Sequence, residues 1–400
     1  MPDPFEKTLE QLLEGRDVSR RHFVRTLGAS ALAVSSAGTL LAACGGTEGT
    51  DQGGDASKQV AVNHPKTAIS ELKFSNWPLY IDEETIDEFD KKYGGKTKYL
   101  EDINDNDEFT GKVQEALRRG RSIDRDIVVL TDWMCARWIR AGWVEPIDRK
   151  NVPNAKNLEP TLASPKFDPR RQYTLPWQSY ITGIGYNPKK TGRKLGSVND
   201  LFDPKFKGRV TMQQEWRDSA SLVMLGQGKD PSTATLDDVL AAIEKIDEEN
   251  RKEQIRQFTG NDYTKGLASG DLWVTVAFSG DVVQLQADNP ELEFIIPEEG
   301  AAIAVDNMML PQKPPNPYTA ETMMNFVYDP VVAARIAAEV NYVTPVKGAK
   351  EELAKTDPET AENPLIFPSP EDLKKLRPFP TLSLEDEREA TEAMQKVTGA

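Results

Sequence analysis

A short run of apolar residues at positions 126–130 most constrains how this chain can fold. Its sequence is Asp-Ile-Val-Val-Leu, and the four consecutive apolar residues leave no polar face for solvent. Such runs are typical of parallel strands that are covered on both sides. Helical spacing appears before it at Phe109, Val113 and Leu117, and a second helix is predicted from about 133 to 141. This alternation predicts an α/β fold with a mainly parallel sheet.

The chain after residue 143 repeats this alternation in a second region. Residues 143–176 are irregular and rich in Pro, Asn and Asp, and Gly183 then opens the second α/β region. The predicted strands are 210–212, 272–278 and 294–296, and the predicted helices include 218–225, 236–248, 320–328, 330–341 and 384–397. We therefore expect two α/β lobes of similar size.

The charge and the rare residue types exclude several classes of protein. The net charge is -15, which is the reverse of the basic footprint of a nucleic-acid binder. The only histidines are His22 and His64, and the only cysteines are Cys44 and Cys135. The main body therefore lacks the residues for a Ser-His-Asp triad, Cys-His catalysis or a His-ligated zinc. Cys135 lies in an apolar setting and is predicted to be a buried thiol.

The N-terminal segment carries two features in a characteristic order. Arg20 and Arg21 precede a mildly apolar run, residues 27–43, that is too short and too polar to span a membrane stably. The sequence Leu-Ala-Ala-Cys-Gly follows at 41–45. The first feature resembles a twin-arginine export signal and the second a bacterial lipobox. The alternative is a chance pair of arginines before a core helix.

This resemblance implies an exported protein. Residues 1–43 would be removed as a signal peptide, and Cys44 would carry lipid. Residues 44–68 are rich in small and polar residues and are predicted to form a flexible tether. We therefore expect a body in the periplasm or at the outer face of the cytoplasmic membrane.

Aromatic and acidic side chains recur where the predicted strands end. In open α/β sheets, ligands bind at these strand ends. The candidates are Trp77, Tyr80, Thr131, Trp133, Glu215, Asp218, Phe278 and Asp281, with Trp177 and Asp306 as further candidates. Carboxylates accept charge-assisted hydrogen bonds from ammonium groups, and aromatic faces cover methylenes and attract cations. The pattern therefore suits a ligand in which methylenes separate ammonium groups.

Structural roles compete with ligand binding for several of these residues. Asp218 could be only a cap that stabilises a helix dipole, and Trp133 could be plain core. Glu215 shows no obvious capping role, which favours a binding role for its carboxylate. The sequence contains no nucleophile elbow, phosphate loop or dinucleotide fingerprint, and Gly183-x-Gly185 is too short to count as one. We therefore expect a binding protein that is not an enzyme.

Several short motifs occur in order between residues 70 and 345. They are Asn76-Trp77-x-x-Tyr80-Ile81, Asp126-Ile-Val-Val, Tyr173-x-x-Pro176-Trp177, Thr182-Gly183-Ile184-Gly185-Tyr186-Asn187, Phe278-Ser279-Gly280-Asp281 and Tyr342-x-Thr344-Pro345. Together they resemble the substrate-binding proteins of bacterial spermidine/putrescine ABC importers. The resemblance implies a two-lobed periplasmic-binding-protein-like fold of type II, with a ligand cleft between the lobes and a hinge that the chain crosses more than once. The implied lobes are 69–183 plus 281–325, and 184–280 plus 326–400.

The resemblance also implies roles and partners. Trp77 and Tyr80 would form part of an aromatic box, and Glu215, Asp218 and Asp281 would hold amino groups. The implied protein is a lipid-anchored receptor that binds putrescine or spermidine and delivers it to the membrane permease of an ABC importer. We expect a monomer without cofactor, metal or nucleic acid. Two alternatives stay open: a receptor of the same fold for another organic cation or small solute, and a secreted glycosidase that uses two carboxylates.

Overall fold

The computed structural model describes residues 60–399, so the predictions for Arg20, Arg21 and Cys44 lie outside the described part. Between residues 60 and 399, no helix is both long and apolar enough to cross a membrane. The end of the predicted tether is attached to the body. The backbone N–H of Val60 donates to Gln172, and the His64 ring lies 2.6 Å from Glu321.

One sheet of 11 strands organises the described residues. The strands are β1 Glu71–Asn76, β2 Lys96–Glu101, β3 Ile127–Thr131, β4 Val144–Glu145, β5 Thr174–Tyr186, β6 Val210–Gln213, β7 Ile255–Thr259, β8 Val274–Phe278, β9 Glu293–Ile295, β10 Ala301–Pro311 and β11 Leu376–Pro378. Their order is β2-β1-β3-β10-β5-β8-β6-β7; β4 and β11 pair with β10, and β9 pairs with β5.

Strand direction divides this sheet into two parallel ends and an antiparallel middle. At one end β1 is parallel to β2 and β3, and at the other β6 is parallel to β7 and β8. The long strands β5 and β10 pair antiparallel with each other, and β10 runs antiparallel to β3 while β5 runs antiparallel to β8. The expected α/β alternation is confirmed. The sheet is mixed rather than mainly parallel because two long returning strands connect its ends.

Fourteen helices flank the sheet within the described residues. They are α1 Glu83–Tyr93, α2 Asn106–Arg118, α3 Asp132–Arg140, α4 Pro188–Thr191, α5 Trp216–Gly226, α6 Leu236–Arg251, α7 Tyr263–Ser269, α8 Ser279–Gln286, α9 Pro317–Val327, α10 Pro330–Val340, α11 Ala349–Leu353, α12 Pro358–Ala361, α13 Pro370–Leu373 and α14 Leu384–Thr398. Local signals fix their ends: Asp82 accepts from the backbone N–H of Thr85 at the start of α1, and Gly94 ends α1 with φ 73°.

Two hydrophobic cores lie at the two ends of β5. The first contains Leu175 from the start of β5 together with Phe74, and the second contains Ile184 from its end together with Val210. We call the parts of the chain around these cores the first lobe and the second lobe. Because β5 contributes to both cores, it connects the two lobes directly.

The C-terminal quarter divides between these cores. Residues from Phe326 to Ala361 pack in the first core, whereas Ala390 and Met394 of α14 pack in the second. The expected boundary, with all of 326–400 in the second lobe, therefore differs from the packing. Buried apolar residues of both α9 and α10 belong to the first core, so both helices pack on the first lobe.

Gly183 has a structural role in β5. A Cβ atom at this position would lie 2.5 Å from the carbonyl oxygen of Ile295 and 2.6 Å from the ring of Phe294. Only glycine therefore allows β9 to lie against β5 at this point. The Gly183-x-Gly185 pair therefore has a packing role in the sheet.

Candidate ligand-binding site

Asp306 anchors the first part of the candidate site. It lies on β10 directly opposite Thr131, the last residue of β3. The Thr131 hydroxyl donates to Asp306 Oδ1 at 2.7 Å, and the Tyr80 hydroxyl donates to Asp306 Oδ2 at 2.9 Å. Burial raises the pKa of Asp306 to about 6, although these two hydrogen bonds oppose the rise. Three predicted residues from distant parts of the chain thus meet at one carboxyl group.

Asp281 anchors the second part of the site, near the start of α8. Its two oxygens accept hydrogen bonds from the hydroxyls of Tyr263 at 2.8 Å and Tyr342 at 2.7 Å. Burial raises the pKa of Asp281, and both hydrogen bonds oppose that rise. The rings of Tyr80 and Tyr342 meet edge to face, with centroids 5.1 Å apart. This aromatic pair joins the Asp281 and Asp306 carboxyl groups into one site.

Asp218 belongs to the second lobe and is 3% exposed. Thr182 of β5 donates its hydroxyl to Asp218 Oδ1 at 2.6 Å. Burial raises the pKa of Asp218 to about 8, and the charges of Glu215 and Asp306 add to the rise. The N-cap of α5 is Glu215, and Asp218 lies in the first turn of the helix, where its carboxyl group accepts from the Thr182 side chain.

Glu215 has the capping role that the sequence analysis missed. Its side chain accepts from the backbone N–H of Arg217 at 3.1 Å and caps α5. The same carboxylate lies 2.9 Å from Nη1 of Arg217. The Arg217 guanidinium in turn lies 4.0 Å from the ring centroid of Trp133 and 4.3 Å from that of Trp216. The aromatic face predicted for a ligand cation is therefore covered by an internal cation.

Strand β5 supplies side chains that the sequence analysis did not select. Gln178, Tyr180 and Thr182 alternate along it and therefore share one face of the sheet. The ring of Tyr180 lies 5.0 Å from that of Phe278, a predicted wall residue. Burial and the charges of Asp218 and Asp306 raise the pKa of the Tyr180 hydroxyl. Period-two spacing along this segment was the available signal.

Trp177 and Trp77 lie at the edge of this arrangement. Trp177 is a core residue whose indole N–H donates to the backbone carbonyl oxygen of Tyr80 at 3.1 Å. This hydrogen bond helps to hold Tyr80 in position. Trp77 is partly buried, and its indole N–H has no hydrogen-bond acceptor among the described residues. Between Trp77 and Tyr80, Leu79 adopts a left-handed conformation with φ 57°.

Sequence comparison identifies the class of protein. Residues 84–368 match the family model described as bacterial extracellular solute-binding protein. The chain belongs to this family. This solute-binding protein is 30% identical to the putrescine-binding periplasmic protein of Escherichia coli, over 82% of this chain and 90% of the relative. It is 24% identical to spermidine/putrescine-binding periplasmic protein 1 of Haemophilus influenzae, over 80% and 86% of the two chains.

Solved structures share the architecture of this solute-binding protein. The substrate-binding protein of a spermidine/putrescine ABC transporter from Streptococcus pneumoniae superposes with a TM-score of 0.70 at 21% identity, covering 82% of this chain and 99% of that chain. A lipoprotein of Treponema pallidum gives 0.69 at 20% identity, with coverage of 82% and 99%. The expected two-lobed fold of the periplasmic-binding-protein type is confirmed. The protein is an exported solute receptor for transport, not an enzyme.

Proposed function

We propose that this receptor binds a short-chain polyamine, putrescine or spermidine, between its lobes. The observation that carries the proposal is the set of three carboxyl groups of Asp218, Asp281 and Asp306. Each accepts hydrogen bonds from hydroxyl groups, and none forms an ion pair with Lys, Arg or His in the described part of the chain. Asp218 and Asp306 are almost fully buried, and Asp281 is partly buried. Carboxylates with little access to water and no ion-pair partner favour a ligand that brings positive charge.

The aromatic groups suit the remainder of such a ligand. Tyr80, Tyr342, Tyr180 and Phe278 form two edge-to-face pairs beside these carboxyl groups. Aromatic rings cover methylene groups and attract the adjacent ammonium groups, with about 0.5–2 kcal/mol for each cation. The names of the relatives, which specify putrescine or spermidine/putrescine, support the same ligand class.

Calorimetry with putrescine, cadaverine, spermidine and spermine tests this proposal. Asp281→Asn should weaken polyamine binding by about 30- to 150-fold, because it removes a charged hydrogen-bond acceptor worth about 2–3 kcal/mol. Asp288→Asn is the matched control, since Asp288 is exposed and lies just after the same helix. Absence of heat for all four ligands at millimolar concentration would refute the proposal, and binding of another cation would favour the alternative receptor.

The mode of export and delivery belongs to the same proposal. We expect export through twin arginines Arg20 and Arg21, lipid on Cys44, and delivery of the ligand to the permease of an ABC importer. The sequence motifs support the first two steps, and the ABC-transporter relative supports the third. Labelling cells with a radioactive fatty acid should label the wild-type protein and not Cys44→Ser. Lysine at both arginine positions should leave the precursor unprocessed in the cytoplasm.

A further inference from the structure

Arg217 is a buried cation that links the two lobes beside the candidate site. Its side chain is 1% exposed, although arginine is almost never fully buried unless it is paired. The guanidinium lies between the indole rings of Trp133, from α3 of the first lobe, and Trp216, from α5 of the second lobe. A cation held on two aromatic faces at about 4 Å is strongly favoured in a desolvated setting.

Two carboxylates lie beside this guanidinium, and only Glu215 is hydrogen-bonded to it, since Nε and Nη2 have no hydrogen-bond partner in the described part of the chain. Glu215 lies 2.9 Å from Nη1, and Glu387 lies 3.6 Å from Nη2. Glu387 comes from α14, which lies beyond residue 368, where the match to the family model ends. The same carboxylate lies 3.9 Å from Arg137 and 3.8 Å from Arg140, both on α3 of the first lobe. The terminal helix therefore brings a carboxylate close to both α3 of the first lobe and Arg217, at distances longer than a hydrogen bond.

This arrangement reduces the number of ligand charges that the site can hold. The Trp133 face and the Glu215 carboxylate are the groups that a further ammonium group would need. Both are engaged by Arg217, which carries a permanent positive charge. An ammonium group brought to this end would lack a counter-charge and would face a like charge, which is an effective way to reject a ligand. The carboxyl groups of Asp218, Asp281 and Asp306 stay available.

We infer that Arg217 is a specificity-determining residue that closes one end of the cleft and restricts the ligand to short diamines, with Glu387 as its positioning residue. The inference rests on the proposed polyamine function. Putrescine can place its two ammonium groups among the three available carboxyl groups. An ammonium group of a longer polyamine that reached Trp133 and Glu215 would meet the positive charge of Arg217 there.

The test compares ligand selectivity, measured by calorimetry, in wild type and matched variants. Wild type should bind putrescine about tenfold or more tightly than spermidine, because each like-charge contact disfavours the longer ligand. Arg217→Met keeps an apolar side chain between the rings and removes the charge, so the ratio should fall about tenfold, mainly through tighter spermidine binding. Glu387→Gln should shift the ratio in the same direction, and Glu385→Gln, at an exposed position of the same helix, should leave it unchanged.

Further arms separate this role from a purely structural one. Arg217→Lys retains the charge and should retain the preference for putrescine, even where its melting temperature falls as far as that of Arg217→Met. Equal wild-type affinity for putrescine and spermidine would overturn the inference while leaving the polyamine function intact. An unchanged ratio in Arg217→Met would do the same. Tight binding of 4-aminobutyrate that Arg217→Met abolishes would also overturn it, because Arg217 would then recognise a ligand carboxylate. Failure of every polyamine to bind wild type would overturn both proposals.

Discussion

Raising the pH from 6 to 9 should strengthen putrescine binding about 100-fold. The reason is the carboxyl group of Asp218, whose pKa burial raises to about 8, so that a proton must leave before a cation can pair with it. The ligand stays charged in this range, because the pKa of an alkylammonium group is about 10.4. Affinity is therefore limited by the ionised fraction of the receptor and not by that of the ligand.

The magnitude follows from the pKa of Asp218. With a pKa of about 8, about 1% of ligand-free molecules carry an ionised Asp218 at pH 6 and about 90% at pH 9. Asp306, with a pKa of about 6, adds about a factor of two below pH 7. At pH 7 the two groups together hold about one proton that a bound dication displaces.

Raising the pH should have the opposite effect on the stability of the ligand-free protein, which it should lower. Between pH 4 and 8 the folded protein holds a proton on Asp218 that the unfolded chain has lost. The free energy of unfolding therefore decreases as the pH rises through this window, by up to about 1.4 kcal/mol per pH unit. Putrescine should reverse the trend, so its stabilising effect on the melting temperature should increase from pH 6 to pH 8.

Titration calorimetry in two buffers with different ionisation enthalpies measures both the affinity and the number of protons released. Asp218→Asn is the matched control, because its amide oxygen still accepts from Thr182 but holds no titratable proton. Its binding should be weaker and nearly independent of pH between 7 and 9. A wild-type affinity that changes less than about threefold between pH 6 and 8.5, without proton release, would refute the reasoning.

Two other regions give independent predictions. Gly280→Ala should weaken putrescine binding about tenfold or more, since the added Cβ would overlap the ring of Tyr342, whereas Gly111→Ala meets no atom within 4 Å and should leave calorimetric affinity unchanged. His64→Gln should lower the free energy of unfolding by about 1–2 kcal/mol at pH 5.5 and by little at pH 9, as measured with urea. The hydrogen bond to Glu321 raises the pKa of His64, so its stabilisation is complete below pH 6.5 and is lost as the pH rises through the folded-state pKa. Equal losses at both pH values would contradict this.

The sequence predicted several of the residues that the structure brings together, because strand ends can be recognised in it. Tyr80 follows β1, Thr131 is the last residue of β3, and Asp281 follows β8. All three are therefore predicted by the rule that ligands bind at strand ends. Strand direction is not visible in the same way, because a long apolar strand packs equally well in either direction. The antiparallel pair of β5 and β10 was therefore missed, and with it the row of side chains around Tyr180.

Contacts between residues that are far apart in the sequence could not be predicted either. The hydrogen bond between Tyr342 and Asp281 joins residues 61 positions apart, and no local sequence pattern predicts it. Arg217 was not among the predicted site residues, and it lies just before the predicted helix 218–225. Its role depends on Trp133 and Glu387, which reach it from another lobe and from the last helix. Contacts of this kind follow from the fold and not from propensity or spacing.

The balance of charge in the cleft connects the preference for ligand length with the dependence on pH. Arg217 neutralises Glu215, which leaves three carboxyl groups without a counter-charge, and a diamine supplies only two positive charges. Burial raises the pKa of both Asp218 and Asp306, so a carboxyl group that pairs with the ligand must first lose its proton. Removing the charge of Arg217 frees Glu215, whose pKa burial also raises. Spermidine binding to Arg217→Met should therefore release more protons than putrescine binding to wild type, since an additional carboxyl group must ionise to meet the third ammonium group.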